Sequence, residues 1–334
     1  MLCAVPLLRG LRTRFPNASV TLIAGPVNVE VMRNNRYVDN IINYDKREFL
    51  LNGKLHPVKL ARFIGKLRSE KYDVAIVPST VSTSFTSDML AYLSGAAVRI
   101  GASGLDGRKN PSAFFFNAPV DLDWRNDPHR PQTERNLDVA RGLSVVTNDL
   151  SSEITLTSQE LAEGKLLADR MKKSKRILVG FHPGAGKTQN RWPAAWFAEV
   201  ANALADEFNA QILVTAGPMD DEPLKNMINR LGIPFELLQN EPIRRVASII
   251  LYVNLFVTND TGIMHVAGAT GTSVLSLFGP TDPEQWAPYG GRNRYIAGKG
   301  GRIDAISIQD VLQCARQLLS WRDMTTPDVR ESGT

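Results

Sequence analysis

The sequence predicts an α/β protein built on parallel sheets in two domains. Three observations carry this. Strand-like apolar runs and helical patterns alternate along the chain, the order that parallel βαβ units need. At 334 residues the chain exceeds one ordinary α/β core and suits two. Polar, turn-forming clusters recur where apolar runs end. In "LFVTNDTGIMHVAGATGTSVLSLFGPTDP", residues 255–283, two such clusters close neighbouring runs.

The first half, 1–150, opens with a helical pattern over 2–15, where Leu7, Leu8, Leu11 and Phe15 fall at helical spacing. Strand-like runs follow at 19–24, 40–44, 72–77, 98–100 and 114–117. Helical patterns lie at 57–69 and 87–93, and a helix at about 133–143 closes this half.

The second half, 151–322, begins with a helix over about 158–172. Strands are expected at 177–181, 211–215, 235–238, 255–258 and 273–277. Helices are expected between them at 193–208, 222–231, 243–253 and 262–270, with a last one near 308–319. Residues 323–334 read as a polar tail.

Composition narrows the function. Hydrophobic content of 43% with 22% charge describes a soluble globular protein. The net charge of +5 fits anionic ligands or an anionic membrane surface and is too diffuse for nucleic acid. Two cysteines, Cys3 and Cys314, argue against a disulfide framework and fit a reducing compartment. No apolar run reaches the ~18 residues of a membrane span. The opening residues are apolar and then basic, the reverse of a signal peptide. A cytoplasmic monomer is the expectation.

Open parallel sheets bind ligands beyond the carboxyl ends of their strands. Four loops in the second half lie there. The first, "GFHPGAGKTQNRWP", holds Gly184, Ala185, Gly186, Lys187, Thr188, Asn190 and Arg191 before Pro193 starts a helix. Glycines let backbone amides approach an oxyanion, the helix N-terminus adds positive potential, and Lys187 and Arg191 add full charge. This suits a diphosphate. It is not a Walker loop, since Gly186-Lys187-Thr188 lacks the earlier glycine at the required spacing. The plain alternative is an ordinary turn with solvated cations.

The second loop, "TNDTGIMHVAGATG", offers Asp260 or Thr261 as a helix cap. Asp260 can instead accept from sugar hydroxyls, while Thr261 and Gly262 donate to phosphate. His265 lies one turn into the helix, where a satisfied buried histidine is the plain reading. The third, "GPTDPEQWAPYG", brings Thr281 and Asp282; its plain reading is a rigid turn. In the fourth, "TAGPMDDEP", Asp220, Asp221 and Glu222 enter a helix, where acids are favoured in any case and a ribose contact is the sharper option. Polar clusters at adjacent strand ends form one wall of a cleft.

With these pieces the sequence resembles glycosyltransferase family nine, the heptosyltransferases of lipopolysaccharide core assembly. "HPGAGKTQNRWP", "NDTGIMHVAGATGTSVLSLFGPTDPEQWAPYG", "HRPQTERNLDVARGL" and "PLLRGLRTRFPNASVTLIAG" carry the resemblance across most of the chain. It implies the GT-B arrangement, two Rossmann-like domains facing across a cleft. It implies an inverting, metal-independent transfer from an ADP-activated heptose to a lipid-linked acceptor, with no cofactor beyond the nucleotide sugar. By position, Gly184, Ala185 and Gly186 would line the diphosphate. Asp260, Thr261 and Gly262 would contact phosphates and donor sugar, with His265 on the same helix. Asn190 stands where family members often carry lysine, a cation that Lys187 or Arg191 would have to replace.

The family's usual base belongs to a strand and Gly-Asp turn just before the first helix. Here no Asp or Glu occurs before Glu30, so that base would precede Met1 and the first strand is expected to be missing. Between residues 46 and 71 eight Lys or Arg face only Glu48 and Glu70. Lys59, Arg62 and Lys66 share one helical face, either solvated or drawn to acceptor phosphates and an anionic inner membrane. A related transferase with another nucleotide sugar and glycan, and a nucleotide-sugar-binding protein without turnover, are the alternatives.

Overall fold

The computed structural model describes residues 1–51, 54–175 and 177–322. The tail expected at 323–334 lies outside them. The chain divides into two compact units, Met1–Thr155 and Leu156–Thr334.

The first unit runs α1 (Val5–Arg14), β1 (Thr21–Ala24), α2 (Pro26–Met32), β2 (Asn40–Asn43), β3 (Leu50–Leu51), β4 (Lys54–Leu55), α3 (Pro57–Ser69), β5 (Val74–Ile76), α4 (Phe85–Leu93), β6 (Val98–Leu105), β7 (Arg108–Lys109), β8 (Ala118–Leu122) and α5 (Gln132–Val139). Its parallel pairing is β1 with β2, β5 with β6, and β6 with β8. Buried Arg9 ties α1 to the rest, donating to the Tyr37 hydroxyl at 2.9 Å and the Asp149 carbonyl at 2.6 Å.

The strand expected at 114–117 is not there. A 3-10 turn spans Ala113–Phe115 and the strand begins at Ala118. Three consecutive phenylalanines read as a buried run, but they diverge. Phe114 faces solvent, whereas Phe116 packs on Gly101 so closely that a Cβ there would lie 2.1 Å from its ring. Helix α2 was not expected, because V-N-V-E-V-M alternates as a strand does. Pro26 at its first position and extended Gly25 before it start a helix instead.

The second unit runs α6 (Ser158–Lys172), β9 (Ile177–His182), α7 (Ala194–Phe208), β10 (Ala210–Ala216), α8 (Asp221–Ile228), β11 (Phe235–Gln239), α9 (Ile243–Ile250), β12 (Leu255–Asn259), α10 (Gly262–Ala269), β13 (Val274–Phe278), α11 (Pro283–Trp286), β14 (Asn293–Ala297) and α12 (Ile308–Arg322). Its strands form one six-stranded sheet in the order β11-β10-β9-β12-β13-β14, and every pairing is parallel. Strands β10, β12 and β13 are buried along their whole length, as a sheet covered by helices on both faces requires. One apolar layer forms around Phe181, Trp192, Phe197 and Leu204, the other around Leu178, Leu213, Ile249 and Phe256. Strand order reverses between β9 and β12, so a crevice opens at their carboxyl ends.

Candidate functional site

The loops that follow β9, β10, β12 and β13 meet at that reversal. Buried Asn259, the last residue of β12, holds the loop after β9 in place. Its Nδ2 donates to the carbonyls of Pro183 (2.9 Å) and Gly184 (3.2 Å), and its Oδ1 accepts from the Trp192 amide at 3.0 Å. Trp192 is buried, and its indole N–H donates to the Ile306 carbonyl at 3.0 Å. Arg191 closes the loop from the other side, donating Nε to the Ala185 carbonyl at 2.8 Å.

Beneath the loop the expected residue Asp220 is paired with His182, which the loop pattern did not single out. His182 ends β9 with Nδ1 3.0 Å from the Thr215 hydroxyl and Nε2 3.4 Å from the Asp220 carboxylate. Asp220 also accepts from the Gly217 amide at 2.7 Å. Burial pushes His182 below its ordinary pKa, against the pull of Asp220. A Cβ on Gly184 would lie 2.0 Å from Asp220 Oδ1, so only glycine fits there. The carboxylate of Asp220 is thus turned inward and makes no side-chain cap for α8. Asp221 is exposed and accepts from Gln239 at 3.2 Å.

Gly186, Lys187 and Thr188 are exposed, and open space lies where a Cβ on Gly186 would stand. Packing therefore does not require a glycine at this point, and the backbone there is open to approach. Gly262, at the start of α10, is equally open. The Thr261 hydroxyl does not cap α10, and the Asp260 side chain points elsewhere. Asn190, buried at the end of the 3-10 turn Thr188–Asn190, donates Nδ2 to Asp260 Oδ2 at 2.9 Å and to the Thr281 hydroxyl at 3.3 Å. The cap expected from Asp260 is thus replaced by a contact between three loops. Burial raises the Asp260 carboxyl above its ordinary range, while the Thr281 hydroxyl and the Lys187 charge pull it down.

His265 sits one turn into α10 with its ring 6.3 Å from that of Trp286. Burial lowers its pKa to about 4, so it is neutral at physiological pH. Asp282 accepts from the Glu284 amide at 3.0 Å and starts α11. The structure thus brings together Asn190, Asp260 and Thr281, with Lys187 close enough to act on Asp260. Lys59, Arg62 and Lys66 lie in the first unit, exposed along α3, while its apolar residues Leu60, Phe63, Ile64 and Leu67 are partly or fully buried. Among the described residues no three His, Cys, Asp or Glu side chains converge as metal ligands do. No helix among them is long and apolar enough to cross a membrane.

The arrangement offers Lys187, Arg191 with its guanidinium 3.7 Å from Glu222, open backbone at two glycines and the Asp260 carboxylate. That is a set for a phosphorylated polyol. The model of glycosyltransferase family 9 (heptosyltransferase) matches residues 60–315. Lipopolysaccharide heptosyltransferase 2 of Salmonella typhimurium is 26% identical over 307 residues, covering 89% of this chain and 84% of that protein. Two solved structures share the GT-B fold. A glycosyl transferase family 9 protein from Veillonella parvula superposes with a TM-score of 0.81 at 21% identity, over 96% of this chain and 93% of that one. The E. coli ADP-heptose lps heptosyltransferase II gives 0.77 at 22% identity, over 97% and 96%.

Proposed function

Because the chain belongs to glycosyltransferase family 9, whose model spans residues 60–315, we propose that it moves a heptose from ADP-heptose to a lipid-linked lipopolysaccharide core acceptor. The observation that carries this reading is the convergence of Asn190, Asp260 and Thr281 beside the open turn at Gly186.

In this reading the diphosphate lies over Gly184, Ala185 and Gly186, within reach of Lys187, Thr188 and Arg191. The first turn of α10, from Thr261 and Gly262, adds its partial positive charge. An acceptor hydroxyl attacks the anomeric carbon from the face opposite ADP. The new C–O bond forms as the bond to the diphosphate oxygen breaks, the configuration inverts, and the hydroxyl proton passes to a base. Negative charge grows on the departing ADP, and fixed cations and amides stabilise it. Asp260, a half-buried acceptor, suits a hydroxyl of the donor sugar. Two side-chain cations supply the charge a metal would otherwise bring, so excess EDTA should leave turnover unchanged. The exposed cations of α3 suit the phosphorylated sugars of the acceptor and an anionic inner-membrane surface on the cytoplasmic side.

Titration calorimetry with ADP, followed by mass-spectrometric analysis of products from ADP-heptose and candidate core lipids, tests the reading. Absence of heat at millimolar ADP would remove it. Transfer from another nucleotide sugar is the second reading, since no residue of the site fixes the base. A thermal-shift panel of nucleotides separates the two, since ligand stabilisation follows affinity.

A further inference from the structure

We propose that an aromatic cluster on the first unit, Phe85, Tyr92, Phe114 and Phe115, docks the protein on an anionic lipid bilayer. Phe115 is the hub. Its ring centre lies 4.3 Å from Phe114, 5.4 Å from Tyr92 and 5.6 Å from Phe85. The three outer rings face water: Phe114 is 71% exposed, Phe85 59% and Tyr92 47%. Core packing does not account for them, because Phe116 alone of this run turns inward. Aromatic rings gathered in one exposed patch mark an interaction surface, and tyrosine is favoured where an apolar medium meets water.

The patch is braced from below. Asp88 of α4 is buried and accepts from the Ser112 hydroxyl at 2.6 Å and from Asn110 Nδ2 at 2.9 Å. These bonds fix α4 to the segment that carries Phe114 and Phe115, so the rings form a preset face.

Charge identifies the partner. The Arg99 guanidinium lies 5.6 Å from the Tyr92 ring centre and donates to the Phe115 carbonyl at 2.8 Å. Exposed Arg68 donates to the Leu93 carbonyl at 3.1 Å, anchoring the end of α3 beside Tyr92. Helix α3 contains no Asp or Glu and exposes Lys59, Arg62 and Lys66. Apolar rings bordered by cations match the two layers of an anionic bilayer surface, acyl boundary and headgroups. The choice of a bilayer rests on the lipid-linked acceptor proposed above, and the test separates the two.

The full chain is floated with vesicles of phosphatidylcholine alone and of phosphatidylcholine with phosphatidylglycerol. It should rise with the anionic vesicles only. The double variant Phe85→Ser, Phe114→Ser should lose at least about tenfold in vesicle affinity, with unchanged circular dichroism and unchanged ADP affinity. The proposal falls if the parent stays down with anionic vesicles, or if the double variant rises equally. It also falls if, without vesicles, the parent sediments as a dimer and the variant as a monomer, which assigns the patch to a second copy of the chain. Flotation without any ADP binding would overturn the transferase reading and support the docking surface.

Discussion

Asn190 donates its side-chain amide to the Asp260 carboxylate at 2.9 Å, across 70 residues of sequence. The same amide reaches Thr281, while its own carbonyl oxygen is buried with no hydrogen-bond partner. Asp260 is therefore oriented by a neutral group. Its carboxyl sits above the ordinary range because burial is only partly offset.

Replacing Asp260 with alanine should weaken nucleotide-sugar binding by roughly 10- to 100-fold, the worth of a hydrogen bond to a charged group. The fold should persist, since this carboxylate caps no helix. Arg191→Ala should also weaken binding, by removing a cation and the tie to Ala185. Calorimetry on both variants, with circular dichroism as control, measures this; unchanged donor affinity in both would take the site elsewhere.

Two glycines of one loop should respond oppositely. Gly184→Ala drives a methyl group into Asp220 and should destabilise the protein by about 1–3 kcal/mol. Gly186→Ala meets nothing and should leave the unfolding midpoint in place while lowering ADP affinity. Urea unfolding and ADP titration distinguish them. Equal stability loss in both would contradict the packing described.

Acid should destabilise the second unit through His265. Its folded pKa, about 4, lies below the ordinary 6.5 because of burial. Between those values the unfolded chain binds more protons, so stability is full above pH 6.5 and declines as pH falls toward 4. At pH 5 the loss from this group alone is about 2 kcal/mol. Buried His182 shifts in the same direction and adds to the decline. Urea unfolding of His265→Gln at pH 7 and pH 5 should show a smaller drop than the parent; an equal drop would remove His265 as a source.

Reversing charge at Lys59, Arg62 and Lys66 together should impair use of the acceptor without changing ADP affinity. These side chains are exposed on α3 and hold no part of the core. Transfer at the parent rate in both low and moderate salt would make the face a bystander.

Much of the second unit was legible because β10, β12 and β13 are runs buried from end to end and β9 nearly so. The polar strand β14, N-R-Y-I-A, gave no such signal and was not expected. In the first unit, aromatic content misled at 114–117, where exposure rather than burial governs the side chains. Loop chemistry at Gly186, Lys187, Asp260 and Thr281 could be read from local composition. Its arrangement could not. The pairing of Asn190 with Asp260 depends on β9 lying beside β12, and no local pattern encodes that. His182 and Asn259 are the last residues of otherwise apolar strands, outside the turn clusters. A polar side chain ending such a run is the signal that would have found them.

The clamp on the glycine loop has a consequence for biosynthesis. Asn259 follows the carbonyl of Pro183 that it holds by 76 residues. At ordinary ribosomal speed, roughly 4–15 s separate the emergence of that loop from the arrival of its clamp. Throughout that interval β9 lacks its neighbour β12, and the contact of Asn190 with Asp260 cannot form. On the function proposed above, ligand capture becomes a readout of completed folding. A chain arrested before β12 would carry the loop without its Asn259 clamp, held only by the local tie of Arg191 to Ala185.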